Sequence, residues 1–195
     1  MHPSESLNNK QVALGIHPLR FLLWLMIISI TMMFAAFTSA YIVRRGEGGW
    51  LEFDLPSGLI FNSVVILLSS AAIQWAWHSA RRDELRRVQV AMLITFALGV
   101  LFLFGQWQVW QELVQSKIFF GGADSNPAGS FVYVLTGVHG FHLITGLVFL
   151  VVVLLKSLRF QVHSRQMMAM TNGTIYWHFL GGLWLYLYLF LLLNH

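Results

Sequence analysis

Gly129 to Leu155 reads GSFVYVLTGVHGFHLITGLVFLVVVLL, an unbroken apolar run that carries two histidines, His139 and His142, three positions apart. At about 1.5 Å of helical rise per residue, such a run crosses the roughly 30 Å hydrocarbon core of a bilayer. A transmembrane helix is therefore predicted. Positions i, i+3 and i+7 share one helix face, so His139, His142 and Gly146 line up, with the glycine leaving room beside the imidazoles. Lipid offers an imidazole no hydrogen-bond partner, so that face is expected to point at protein.

Composition extends this reading to the whole chain. Of 195 residues, 57% are hydrophobic and 10% charged, against a soluble average of roughly 25% charged. This composition indicates an integral membrane protein folded as one bundle, with no polar stretch long enough for a second domain. There is no cysteine, which excludes disulfides, thiolate metal sites, iron-sulfur clusters and c-type haem attachment in this chain. The net charge of +4 gives no sign of nucleic-acid binding, because the basic residues sit in short loops, where they orient membrane spans. Residues 1–20 read as a retained N-terminal segment, since the apolar run that follows is longer than a signal-peptide core.

Within 21–195 the sequence predicts an all-α bundle of five transmembrane helices, spanning about 21–43, 59–80, 88–110, 130–155 and 174–193. The first span carries small residues (Ser29, Thr31, Ala35, Ala36, Ser39) where another helix can approach closely. The second carries Asn62, Ser69-Ser70 and Gln74, and ends in Trp75, Trp77 and His78, rings suited to the headgroup region. The third carries Gly99, Gly105 and Gln106, and 112–128 reads as a loop with turn formers at Gly121-Gly122 and Asn126-Pro127. A polar link, 156–172, precedes the fifth span, where Gly181 and Gly182 lie one turn from His178. Nine lysines and arginines, Lys10, Arg159 and Arg165 among them, fall on one side and three (Arg44, Arg45, Lys117) on the other. The chain is thus expected in a bacterial inner membrane, with the N-terminus in the cytoplasm and the C-terminus in the periplasm.

All eight carboxylates lie outside the apolar runs or, for Glu112, at an edge, so the mid-membrane charge that a proton-coupled transporter keeps is missing. No phosphate-binding loop, nucleophile elbow or zinc helix is present. No catalytic, cofactor-binding or metal site is therefore assigned to this chain. The polar candidates that remain include His78, His139, His142, His178, Asn62, Gln74 and Gln106. One alternative is haem ligation, with His139 or His142 facing His178, as in a small b-type cytochrome of a quinone-linked complex. The plainer reading is that these side chains bond across helices or hold a lipid headgroup.

Four motifs in order resemble subunit III of the haem-copper respiratory oxidases. They are Asn62 with Leu67-Leu68-Ser69-Ser70 and Gln74-Trp75-Ala76, then Gly99 to Gln106, then Leu135-Thr136-Gly137-Val138-His139-Gly140-Phe141-His142 with Gly146-Leu147, and finally Tyr176-Trp177-His178-Phe179 with Trp184. The resemblance runs from about His17 to Leu193 and fits the short, five-helix form. It implies a non-catalytic subunit of an oxidase that reduces oxygen to water, with haem and copper held by subunits I and II. By the same resemblance the chain packs beside subunit I, binds phospholipid and supports proton uptake and turnover life, in a cytochrome c or quinol oxidase that can join other respiratory complexes in a supercomplex. The residues implied in lipid or helix packing are His139, His142, Gly146, Tyr176, Trp177, His178, Gln74 and Gln106. Two departures stand out: Ser29 is followed by Ile30 where the family often has glutamate, and another family carboxylate falls at Val109.

Overall fold

The computed structural model describes residues 18–50, 53, 55–122, 126–158 and 167–194. Most of the segment assigned to 1–20 lies outside the described residues, as do Glu52, Asp54, Asp124, Arg159, His163 and Arg165. The described residues form five helices: α1 (Pro18–Gly46), α2 (Gly58–Arg81), α3 (Leu85–Gln115), α4 (Pro127–Leu158) and α5 (Met168–Asn194). All five are long and apolar enough to cross a membrane, and the outward side chains are largely leucine, isoleucine, valine and phenylalanine. This is a multi-pass membrane protein with the all-α, five-helix architecture its sequence predicts.

The helices outrun the apolar spans at most ends. Residues 111–115, expected in a loop, are the last turn of α3, and 168–172, expected in the polar link, are the first turn of α5. Hydropathy marks where lipid surrounds a helix, whereas backbone hydrogen bonding continues until a residue stops it. At the end of α3 that stop is Lys117, whose φ of 59° is left-handed. Asn126-Pro127 starts α4 instead of merely turning the chain: the Asn126 side-chain oxygen accepts from the Ala128 N–H at 3.0 Å, and proline suits a first helical position. Asn126 also donates from Nδ2 to the Gly49 carbonyl at 3.0 Å, tying the α1–α2 loop to the same end of the bundle.

Helices α2, α3, α4 and α5 close into a ring in which each touches the next, and α1 lies outside it against α4 and α5. The α2–α3 interface is the most extensive, as expected for helices joined by a three-residue turn whose Asp83 adopts a φ of 55°. α1 presents one inward stripe, Leu23, Ile27, Ile30, Phe34, Thr38 and Tyr41, at the spacing of a single helix face. Its small residues Ser29, Thr31, Ala35, Ala36 and Ser39 are all exposed, so the close-approach surface expected there faces out of the bundle. Because lipid tails are as apolar as leucine, the ring is held by shape fit and hydrogen bonds between helices, more than by withdrawal of apolar surface from water.

Candidate functional site

The interior of the ring is organised by a ladder of hydrogen bonds between the antiparallel helices α2 and α5. Trp184 Nε1 donates to Ser63 Oγ at 3.1 Å, and Trp177 Nε1 to Ser69 Oγ at 3.0 Å. His178 Nε2 donates to Gln74 Oε1 at 3.0 Å, and Trp77 Nε1 to Thr171 Oγ1 at 3.4 Å. Gly181 is the point of closest approach, since a Cβ there would stand 3.0 Å from Ser70 Oγ. Gly182, expected to share that role, has nothing within 4 Å of such a Cβ. Serine and threonine suit this interface because they are small enough for helices to approach and still offer an oxygen to a ring N–H.

Trp177 and Trp184 are both about 1% exposed and fill the ring at two levels. Around Trp177 the other helices are cut back to glycine: a Cβ on Gly99 of α3 would meet the indole at 2.8 Å, and one on Gly146 of α4 would meet it at 3.4 Å and Leu180 at 2.9 Å. Gly146 thus makes room for Trp177 and Leu180, not for the imidazoles of its own helix. Ser69 Oγ also donates to the Thr95 carbonyl at 3.3 Å, and the side chains that a Cβ at Gly99 or Gly146 would meet are all apolar or aromatic.

The Trp184 level is different. Trp184 packs edge-on against Phe102 of α3, ring centroids 4.7 Å apart, and beside His139 of α4 at 5.2 Å. Phe102 and His139 themselves lie 5.9 Å apart. Next to Ser63 on α2, Asn62 donates from Nδ2 to Gln106 Oε1 of α3 at 3.3 Å, an approach made possible by Gly105, where any Cβ would collide with the Asn62 side-chain oxygen. One turn on, Trp110 Nε1 donates to Thr136 Oγ1 at 3.0 Å. Asn62, Gln106 and His139 are all at most 2% exposed, and part of this group is unsatisfied. Among the described residues Asn62 Oδ1, Gln106 Nε2 and both His139 ring nitrogens have no hydrogen-bond partner.

The three intramembrane histidines thus occupy three different interfaces. His139 sits in the ring interior, whereas His178, half-buried, is held to α2 by Gln74. His142 faces α1: its Nδ1 donates to the Val138 carbonyl at 2.8 Å and its ring lies 6.0 Å from that of Phe34. Tyr176 reaches the same turn, sharing a 2.9 Å hydrogen bond with Thr145 Oγ1 and donating to the His142 carbonyl at 3.4 Å. Facing of His139 or His142 with His178, which haem ligation requires, is therefore not built. Among the described residues no three of His, Asp and Glu converge as metal ligands do. At the Arg81 end of α2 an open groove is lined by Trp77, Arg81, Met167 and Thr171, with the guanidinium 4.9 Å above the Trp77 ring. A cation held on an amphipathic ring there suits the phosphate of a lipid headgroup.

The sequence singled out the imidazoles and amides but not Ser63, nor the tryptophan–serine bonds, because which faces of α2 and α5 meet depends on how each helix is rotated about its axis. The available signal was spacing: Ser63 and Ser69 on α2 run opposite Trp184 and Trp177 on α5 at nearly matched intervals.

The sequence is similar to known proteins over most of its length. The family model for cytochrome c oxidase subunit III matches residues 51–194. The cytochrome c oxidase subunit 3 of Mus musculus is 31% identical over 187 residues, which cover 87% of this chain and 67% of the mouse protein. That of Pelomedusa subrufa is 34% identical over 137 residues, 70% of this chain and 49% of its own length. That of Sus scrofa is 33% identical over 132 residues, 66% of this chain and 47% of the pig protein. The chain thus spans between about half and two thirds of these relatives.

Proposed function

This chain belongs to the cytochrome c oxidase subunit III family, and from that premise we propose that it is a non-catalytic core subunit of a haem-copper terminal oxidase. In this role it packs beside subunit I, holds structural phospholipid and sustains proton uptake and turnover life, while haem and copper stay in subunits I and II. The observation that carries the reading is the use of the buried imidazoles as parts of helix interfaces: His178 on Gln74 and His139 between Phe102 and Trp184. Two further features support it. The outward small residues of α1 offer a neighbouring subunit's helix a close seat, and the Arg81–Trp77 groove fits a phospholipid head. The charge bias of the loops favours a cytoplasmic N-terminus in a bacterial inner membrane.

Purification in mild detergent tests this directly. Subunits I and II are expected to accompany the chain, and the chain separated from them is expected to give no haem signal in an oxidised-minus-reduced spectrum. A haem b band that stays with this polypeptide, or reproducible failure to recover subunits I and II with it, would overturn the assignment.

A further inference from the structure

The polar group at the Trp184 level is incomplete, and its incompleteness has a definite form. Asn62 and Gln106 make one hydrogen bond to each other, which leaves an acceptor on Asn62 and a donor on Gln106. A neutral His139 adds one donor and one acceptor, both unused. Turning both amides over exchanges the unused donor and acceptor and leaves the count the same, so the deficit does not depend on how the amides are oriented. Away from water, each such atom is costly unless something small and polar meets it.

The three side chains lie in one cross-section of the ring. Along α3, Gln106 is one turn from Phe102, which touches His139, and one turn from Trp110, which bonds Thr136. Thr136 is itself one turn from His139 on α4, so the register sets Gln106 between the two. The α3 backbone at Gly105 is packed against the Asn62 side-chain oxygen, so room for a ligand lies on the α4 side, where a Cβ would fit at Gly137, with Trp110 no nearer than 3.6 Å, and at Gly140, with Leu103 at 3.9 Å.

We propose that Gln106, His139 and Asn62 form an internal hydration site, in which bound water accepts from Gln106 Nε2 and donates to a His139 ring nitrogen between α2, α3 and α4. Water is the ligand this chemistry selects, because the site offers both donors and acceptors, has no formal charge and is fully enclosed. A buried water commonly makes about three hydrogen bonds, and this group has enough unused atoms to supply them. The site is distinct from the Arg81 groove and does not depend on which partner subunits surround the chain.

Hydroxyl-radical footprinting with pulsed X-rays, applied to the full chain in its purified membrane complex, reads such water because radicals are made where water is held. Trp177 is an internal control, being a tryptophan on the same helix, equally buried and equally bonded to a serine of α2. Trp184 and His139 are expected to be oxidised several-fold faster than Trp177. Replacing Asn62 and Gln106 together by leucine should bring Trp184 down to the Trp177 rate. Equal rates for the two tryptophans in the unaltered protein would overturn the proposal. So would density, in a map fine enough to show ordered water, in which His139 bonds Gln106 directly with nothing between them.

Discussion

Trp177 and Trp184 make the same bond, an indole N–H to a serine hydroxyl across α2 and α5, yet they stand in opposite surroundings. Trp177 is enclosed by glycines, leucines and the Ser69 hydroxyl, and its fit is steric: α3 and α4 give up their side chains at Gly99 and Gly146 to admit it. Trp184 lies beside an amide pair and an imidazole whose hydrogen-bonding capacity is only partly used. A membrane bundle lacks the hydrophobic drive of a soluble core. The two levels are two ways of holding one together, by close steric contact in the first and by hydrogen bonds between side chains of different helices in the second.

The contrast is broken most directly at the first level. Trp177→Ala empties its centre and is expected to weaken the fold by about 3 kcal/mol, read as a large drop in the temperature at which the subunit leaves the detergent-solubilised complex. Gly146→Leu forces a side chain against Leu180 and the indole and should cost about 1–3 kcal/mol through overpacking. In an activity assay it is expected to shorten catalytic life while the first turnovers stay normal; immediate and complete loss from an intact complex would contradict a packing role.

Smaller changes sharpen the comparison. Ser69→Ala strands the Trp177 N–H in apolar surroundings and should destabilise by about 1 kcal/mol, while Ser63→Ala, beside polar groups able to substitute, should cost about half as much. Paired unfolding titrations measure that difference, and equal losses would mean that the two levels are not chemically distinct. Gly182→Ala, facing open space, is expected to shift the same titration by less than about 0.5 kcal/mol.

The number of spans was readable because bilayer thickness imposes a length that hydropathy reports without any tertiary information. Helix ends were less so: 111–115 and 168–172 are polar enough to read as loop, yet nothing in them stops a helix. At the site, the need of His139 and His178 for protein neighbours followed from depth alone. Their particular neighbours did not, because they depend on how each helix is rotated about its axis. His139 and His142, placed on one face by their spacing, diverge to the ring interior and to α1. Gly146 was recognised as a cleared surface but given to the wrong occupant, since an imidazole three or four residues away is near in sequence while Trp177 arrives from another helix.

The turn between α2 and α3 bears on how the bundle is assembled. Only Arg82, Asp83 and Glu84 separate the two helices, and the Glu84 N–H returns to the Ser79 carbonyl at 3.1 Å, so bringing α2 and α3 side by side costs little chain entropy. They also share the broadest interface and the Asn62–Gln106 bond, which makes this pair the natural nucleus, with α4 and α5 completing the ring and α1 joining last from outside. On that order α1, which precedes the α2–α3 pair among the described residues, is a late arrival in three dimensions.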